Sequence, residues 1–200
     1  MMETVLVMLS GGLDSSYLLY HYLKETDLHI HAHHVTLKSK SEPRWKKELK
    51  SSNNVVDYCR KNLRKFYYTT SVWGWGDITD IVRDICLVSI VAGTVIKGVK
   101  GDYIYLATGR VADDNNYEDS RRLFESNLSS KLWHSLASEF AAGRKIHPII
   151  QRPLVEMTKK DLIEKAPKEL IDLTWSCRNP RNGKPCGVCH ACRDRTNSEL

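Results

Sequence analysis

The chain has 200 residues, of which 42% are hydrophobic and 27% are charged, and its net charge is +6. This balance is typical of a globular domain with a substantial core, and it excludes an intrinsically disordered chain. No apolar run approaches the roughly 20 residues that cross a bilayer, and the short run at 5–9 follows Glu3, where a secretion signal would be basic. We therefore expect a cytoplasmic protein without a membrane partner, in the host cytoplasm if a phage encodes it. The positive charge favours anionic partners.

Segments typical of strands and helices alternate along the chain. Short runs of apolar and β-branched residues predict strands, and apolar residues that recur every three or four positions predict the helices between them. The predicted strands cover 4–9, 28–37, 66–73, 102–109 and 146–154, and the predicted helices cover 14–24, 44–65, 78–99 and 119–142, with a short helix capped by Thr158. This order predicts an α/β fold with a doubly wound, Rossmann-like parallel sheet. Ligands of such sheets bind at the carboxyl ends of the strands.

The loop after the first predicted strand, residues 10–15, reads S-G-G-L-D-S. Two glycines let the backbone turn tightly and approach a ligand, and the helix that follows offers unpaired N–H groups to an anion. Ser10 and Ser15 can donate hydroxyl hydrogens, and Asp14 can either hold Mg²⁺ or cap the helix. We predict a phosphate site here, and the alternative is a Gly-Gly turn closed by an aspartate cap.

Four of the six cysteines lie within residues 177–192, with the spacing C-x8-C-x2-C-x2-C. They are Cys177, Cys186, Cys189 and Cys192. Four thiolates can close a tetrahedron around one structural Zn²⁺. An Fe–S cluster is an alternative, and two disulfides are another, which a reducing compartment disfavours. We expect residues 1–172 to form the α/β domain and 173–200 a zinc-binding tail packed on it.

The two motifs together resemble a known family. S-G-G-x-D-S is similar to the pyrophosphate loop of the N-type ATP pyrophosphatases, which split ATP between its α- and β-phosphates to adenylylate a substrate oxygen. The pattern T-W-S-C followed by C-G-x-C-x-x-C, preceded by a P-L pair and a T-K pair, resembles the end of the 7-cyano-7-deazaguanine synthases, the QueC family. Residues 83–93 and 109–124 resemble two further segments of that family, so the resemblance covers nearly the whole chain.

The resemblance implies an ATP-dependent ligase of queuosine and 7-deazaguanine biosynthesis. Such an enzyme adenylylates the carboxylate of 7-carboxy-7-deazaguanine, ammonia displaces AMP to give an amide, and a second ATP dehydrates the amide to the nitrile. The implied cofactors are ATP, Mg²⁺ and one Zn²⁺ per chain, and the family habit implies a homodimer. Adenylylation gives a poor electrophile a good leaving group, so the protein must mainly position the reactants and offset phosphate charge.

The resemblance and the cysteine spacing assign four sets of residues. The ATP contacts are Leu9, Ser10, Gly11, Gly12, Leu13, Asp14, Ser15 and Ser16. The substrate contacts are Arg83, Asp114, Asp119 and Arg121, and the candidate catalytic residues are Asp14, Lys159 and Arg121. The metal ligands are the four cysteines of the tail.

The substrate and catalytic residues also have structural alternatives. Lys159 and Arg121 can be basic residues that face solvent. Asp114 and Asp119 can cap loops, and Arg83 can open its helix in an ion pair with a nearby aspartate.

Several loops depart from the family pattern. Where the family carries Y-G-Q-R-H-x-x-E, residues 41–48 read SEPRWKKE and keep only Arg44 and Glu48. Val111 and Asp84 replace two expected asparagines. Since these changes fall in substrate and nucleotide loops, the enzyme can instead stop at 7-amido-7-deazaguanine for DNA modification, or adenylylate another carboxylate.

Two further hypotheses also stay open, of which the first is another enzyme and the second belongs to a different functional class. One is an adenylylating pyrophosphatase of tRNA thiolation, and the other is a nucleic-acid-binding zinc module on an inactive nucleotide fold. The intact S-G-G-L-D-S loop argues against the second of these.

The second predicted strand carries four histidines: His29, His31, His33 and His34. Three of them alternate along one face, which admits a second metal site. Because no carboxylate or cysteine lies close to them in the sequence, we favour sheet packing or substrate contact.

Overall fold

A parallel β-sheet forms the centre of the fold in a computed structural model, which describes residues 1–39, 44–74, 84–115 and 120–199. Within these residues the strands are β1 (Glu3–Met8), β2 (His29–Lys38), β3 (Tyr67–Gly74), β4 (Tyr103–Ala107) and β5 (Lys145–Ile146), in the order β3-β2-β1-β4-β5. The order reverses beside β1, so the carboxyl ends of β1 and β4 flank the crevice where doubly wound sheets bind ligands. The predicted α/β fold with a parallel sheet is confirmed.

Helices cover both faces of this sheet. On one face lie α1 (Leu13–Glu25), α2 (Trp45–Asn62), α5 (Lys159–Lys165) and α6 (Lys168–Asp172), and on the other lie α3 (Asp84–Val95) and α4 (Ser120–Phe140). The last described helix, α7 (His190–Glu199), packs against α5. None of the described helices is both long enough and apolar enough to cross a membrane.

The central strand β1 shows why the sheet is buried on both faces. Val5 and Val7 point into the cluster beneath α1 and α2, whereas Leu6 and Met8 point into the cluster beneath α3 and α4. Because each face of the strand meets a layer of helices, both sets of alternating residues are apolar. This burial explains why the strand reads as a continuous apolar run.

The last predicted strand, over 146–154, is wrong for most of its length. Only Lys145–Ile146 forms a strand, and one further bridge joins Gln151 to Ala107 of β4. The N–H groups of His147 and Gln151 still donate to carbonyls of β4. Between them the Ile149 N–H, which would continue the ladder to β4, donates instead to the ring Nδ1 of His147 at 3.2 Å, so the ladder is interrupted there.

Two helix predictions are also refined. The helix expected over 78–99 is helical at Asp84–Val95 and continues as a 3₁₀ turn at Ile96–Gly98, while its first six residues lie outside the described residues. The cap predicted at Thr158 is present: its hydroxyl accepts from the Asp161 N–H, and the Asp161 carboxylate accepts from the Thr158 N–H. This reciprocal pair is a capping box that starts α5.

Two of the three buried histidines of β2 bond to hydroxyl groups of the neighbouring strand β3. His31 Nε2 and His33 Nδ1 lie 2.7 and 2.8 Å from Thr69 Oγ1, and His33 Nε2 lies 2.9 Å from Ser71 Oγ. Burial lowers the pKa of both rings, that of His33 to about 4. His29 is exposed, and among the described residues these histidines belong to no group with metal-binding spacing. These contacts fit the sheet-packing hypothesis.

Candidate functional site

The glycine loop turns directly from β1 into α1. Gly11 has φ of +82°, and Gly12 is the N-cap residue of α1. No side chain in this described stretch caps the helix. The alternative of an aspartate cap is therefore wrong. The first amide N–H groups of a helix lack intrahelical acceptors and carry the positive end of its dipole. The loop therefore presents an uncapped helix N-terminus, which suits an anion.

Two serines fold the loop upon itself. The hydroxyl oxygens of Ser10 and Ser15 are 2.8 Å apart. The Ser10 N–H donates to Ser15 Oγ at 3.1 Å, and the Gly12 N–H donates to Ser10 Oγ at 3.2 Å. These short-range bonds hold the turn in one shape without using a residue from elsewhere in the chain.

Two distant segments also hold the loop through the carbonyl of Gly11. Ser51 Oγ of α2 lies 2.7 Å from it and 2.5 Å from the Leu173 carbonyl oxygen, and the backbone N–H of Trp175 donates to it at 2.8 Å. Trp175 belongs to the T-W-S-C motif, so the segment that leads into the cysteine tail contacts the glycine loop directly. The sequence had identified the T-W-S-C segment as a family motif, but no sequence pattern had predicted that Ser51 contacts the loop.

We expect Gly11→Ala to destabilise the fold. An added Cβ would lie 2.7 Å from the carbonyl oxygen of Glu48 and 2.8 Å from the N–H nitrogen of Ser52, which are both backbone atoms of α2. The left-handed backbone alone costs about 1–3 kcal/mol for a residue with a side chain, and the clash adds to that. Urea unfolding measures the loss of free energy. Gly98→Ala is the matched control, because a Cβ there meets nothing within 4 Å; equal stability of the two variants would contradict the expectation.

Asp14 lies in the first turn of α1. Its Oδ1 is shielded from solvent and has no hydrogen-bond partner among the described residues. Burial raises the pKa of Asp14 to about 7, although the nearby Lys159 ammonium acts in the opposite direction. A carboxylate oxygen without a partner fits a hard cation such as Mg²⁺.

Lys159 reaches the same place from the start of α5. Its Nζ donates to Asp194 Oδ2 of α7 at 3.0 Å, and its backbone N–H donates to Asp113 Oδ2 at 2.5 Å. The structure thus brings the sequence-predicted Asp14 and Lys159 together. The Lys159 side chain is 16% exposed, so the alternative that it faces solvent is wrong. Sequence reasoning had missed Asp113 and Asp194, whose positions show no local pattern.

The predicted substrate residues are only partly accounted for. Asp114 lies in the 3₁₀ turn Ala112–Asn115, and its Oδ2 accepts from the Val111 N–H at 3.2 Å, as a loop cap does. Arg83 and Asp119 lie outside the described residues. The backbone of Arg121 is part of α4, but its side chain also lies outside them.

A buried arginine joins the elements around the loop. Arg44 Nε lies 3.3 Å from Glu48 of α2, and its NH2 donates at 2.5 Å to Asp84, the first residue of α3. Arg178, which follows the first tail cysteine, lies 3.8 Å from the same carboxylate. Asp84 stands where the family pattern has an asparagine, and here it supplies the negative charge between two guanidinium groups.

The four tail cysteines come together as thiols. Their Sγ atoms all lie within 4.8 Å of one another, and those of Cys186 and Cys192 are 4.0 Å apart. That separation is about twice the roughly 2.05 Å of a disulfide bond, and all four are free cysteines in the structure. Cys177 and Cys192 are buried, whereas the other two are half-buried. Four thiols at this separation fit the ligand shell of a metal.

Comparisons with known proteins agree with this geometry. A family model described as "Queuosine biosynthesis protein QueC" matches residues 81–198. The 7-cyano-7-deazaguanine synthase of Prochlorococcus marinus (strain MIT 9301) is 26% identical, over 96% of this chain and 92% of that protein. The synthase of Archaeoglobus fulgidus is 27% identical, over 97% and 84%, and that of Picrophilus torridus is 28% identical, over 96% and 84%.

A solved structure shares the fold. The U34-tRNA thiolase NcsA from Methanococcus maripaludis, which contains a [4Fe-4S] cluster, has a TM-score of 0.50 and 17% identity to this chain. The similarity covers 99% of this chain but 64% of the thiolase. At that identity the likeness concerns the fold alone.

Proposed function

Since this chain belongs to the QueC family, whose synthases are ATP-dependent carbon–nitrogen ligases, we propose that it converts 7-carboxy-7-deazaguanine into 7-cyano-7-deazaguanine. One observation carries the proposal: the uncapped, glycine-turned start of α1 meets two groups in one place, an Asp14 carboxylate whose Oδ1 has no partner in the described part of the chain, and the Lys159 ammonium. This group of residues suits a nucleoside triphosphate with its cation, because it combines N–H donors, a cation ligand and a fixed positive charge.

The reaction divides into two similar halves. A carboxylate oxygen attacks the α-phosphorus of ATP, the bond to the β-phosphate breaks, and pyrophosphate leaves. Ammonia then adds to the acyl carbon, and AMP departs to leave the amide. In the second half the amide oxygen is adenylylated, and loss of AMP with protons gives the nitrile.

The chain's own groups act on charge and position in this scheme. The loop N–H groups and the hydroxyls of Ser10 and Ser15 bind the pyrophosphate portion, and Asp14 would hold Mg²⁺, which would supply positive charge beside the phosphates. Burial disfavours the Lys159 ammonium, but Asp14 and Asp194 outweigh this effect and raise the pKa of Lys159. The side chain therefore stays charged at neutral pH and stabilises the pyrophosphate as it leaves.

For the cysteine tail we propose one structural Zn²⁺ per chain. Four thiolates leave no open position for water, so such a site stabilises structure and activates no substrate. A cluster of four irons and four sulfides is wider than one ion and requires thiolates set further apart than 4.8 Å. The related fold of the thiolase with its [4Fe-4S] cluster makes iron the alternative to be measured.

The proposal has four further parts: ammonia as the nitrogen donor, a homodimer, a cytoplasmic location, and a division of the chain into an α/β domain at 1–172 and a tail at 173–200.

One incubation tests the reaction. The protein is mixed with Mg-ATP, ammonium and 7-carboxy-7-deazaguanine, and the products are identified by mass. We expect AMP and the nitrile. AMP with the amide alone would assign the shorter reaction, and AMP released only with another carboxylate would change the substrate. A protein that forms no AMP under any of these conditions would contradict the proposed function.

Lys159→Met should lower the rate of AMP formation about a hundredfold or more, since a positive charge at the developing pyrophosphate is lost. Lys160→Met is the matched control, because Lys160 is the next residue in the chain and its side chain is exposed. We expect this variant to keep the wild-type rate. Asp194→Asn retains the shape but loses the charge that holds Lys159 at 3.0 Å, so its rate should lie between the two. Steady-state kinetics at saturating ATP distinguish these results, and equal rates for the Lys159 and Lys160 variants would remove Lys159 from the mechanism.

A further inference from the structure

Two arginine side chains converge on one serine hydroxyl at the carboxyl edge of the sheet. Arg152 donates through its NH2 to Ser126 Oγ at 2.8 Å, and Arg110 donates through its NH1 to the same oxygen at 3.3 Å. Arg110 follows β4, Arg152 follows the residue that bridges to β4, and Ser126 lies buried in α4. Three separate elements therefore place two guanidinium groups within reach of one small polar atom.

This pair lacks a negative partner in the part of the chain that the structure describes. Neither guanidinium forms an ion pair with a described carboxylate, and a neutral hydroxyl cannot offset two positive charges. Burial lowers the pKa of Arg152, and the charge of Arg110 lowers it further. By contrast, Arg44 has two carboxylate neighbours. Like charges held together in a half-buried place are unfavourable until an anion joins them.

The pair also lies beside the glycine loop. A Cβ on Gly109, the residue before Arg110, would lie 2.8 Å from the backbone carbon and oxygen of Asp14. β4 and β1 are neighbours in the sheet, and their carboxyl ends flank the point where the strand order reverses. An anion bound by Arg110 and Arg152 would thus adjoin the nucleotide loop on the side of β4.

We propose that Arg110, Arg152 and Ser126 form a binding site for an oxyanion group. A carboxylate or a phosphate can accept from both guanidinium groups at once, and such charged, paired hydrogen bonds are strong and directional. The identity of the ligand rests on the proposed function: there, the carboxylate of 7-carboxy-7-deazaguanine is held for its attack on ATP. The other source of the same chemistry is a phosphate group of ATP itself.

Calorimetric titration of Arg110→Gln and Arg152→Gln tests this site with three probes: 7-carboxy-7-deazaguanine, α,β-methylene-ATP and inorganic phosphate. Loss of a charged hydrogen bond corresponds to about ten- to a hundredfold weaker binding. Weaker binding of the deazaguanine acid alone identifies the substrate carboxylate, and weaker binding of the ATP analogue or of phosphate identifies a phosphate group. Affinities within about twofold of wild type for every probe, in both variants, overturn the site.

Two further variants separate binding from folding. Arg60→Gln is the matched control, since Arg60 is exposed in the last turn of α2. This variant should bind every probe like wild type. Arg152→Lys keeps a positive charge and should lose less affinity than Arg152→Gln. Without ligand, the two glutamine variants should melt at or above the wild-type temperature, because charge repulsion is relieved. A melting temperature lower by several degrees in both, but not in Arg60→Gln, would show a structural pair and overturn the proposal.

The site and the proposed function fail in different ways. Wild-type protein that forms no AMP contradicts the function, while the phosphate and ATP-analogue titrations still test the arginine pair. Wild-type protein that forms AMP, with both glutamine variants binding all three probes normally, contradicts the arginine pair alone.

Discussion

Asp14→Asn is expected to abolish AMP formation and, at the same time, to make the protein without ligand more stable at pH 8. The first effect follows from the loss of the carboxylate that we assign to Mg²⁺, and it should reach about a hundredfold or more. The second effect follows from burial, which raises the pKa of Asp14 from 3.8 to about 7. A side chain that improves catalysis but weakens the empty fold has the signature of a functional residue.

The direction of the pH dependence is set by that raised pKa. In the folded state Asp14 prefers its protonated form, so its contribution to stability is complete only below about pH 4 and is lost as the pH rises through about 7. Asparagine cannot ionise and does not lose this contribution. The free energy of unfolding of Asp14→Asn should therefore exceed that of wild type by about 1–3 kcal/mol at pH 8, and by less at pH 5.

Urea unfolding at the two pH values, in buffer without magnesium, measures this difference. Asp57→Asn is the matched control, because Asp57 is exposed on α2 and its replacement should change stability equally little at both values. A variant Asp14→Asn that is no more stable than wild type at pH 8, or that keeps more than about a tenth of the wild-type rate, would contradict our account of this residue.

Loss of the tail metal is expected to lower both the stability of the protein and its affinity for ATP. Cys186→Ser removes one of four ligands, and structural zinc sites contribute folding free energy directly. A loss of several kcal/mol corresponds to a melting temperature lower by about 10 °C or more for a chain of this size. Binding of α,β-methylene-ATP should weaken as well, because the segment next to the tail holds Gly11 through the Trp175 N–H. Arg195 of α7 also donates to Thr174 and Ile171.

Elemental analysis, thermal unfolding and titration of the ATP analogue measure these effects on the same samples. Val188→Ser is the matched control, because this exposed residue lies between two ligands without being one, and it should retain one zinc per chain. Iron with sulfide in the wild-type protein would replace our zinc proposal. A metal-free Cys186→Ser protein that melts with wild type and binds the analogue equally well would contradict the coupling between tail and loop.

The periodicity of the sequence was enough to predict the sheet, because strands buried on both faces read as continuous apolar runs and amphipathic helices repeat every three or four residues. It failed at residues 146–154, where the apolar character resembles a strand but the Ile149 N–H donates to the ring of His147 and not to the ladder. The glycine loop and the four cysteines were recognisable for a related reason: the residues of each motif are close in the sequence, so their spacing alone carries the geometry.

The sequence by itself therefore determined the α/β class and the four-cysteine cluster of the tail, and it predicted the glycine loop as a phosphate site. Only the tertiary structure decided which distant groups meet there: Lys159 and Asp194 beside Asp14, and Arg152 beside Arg110. A parallel sheet brings the carboxyl ends of remote strands to one edge, and no local pattern records which side chains face each other across that edge. The raised pKa of Asp14 has the same origin, because burial is a property of the packed fold and not of the residue.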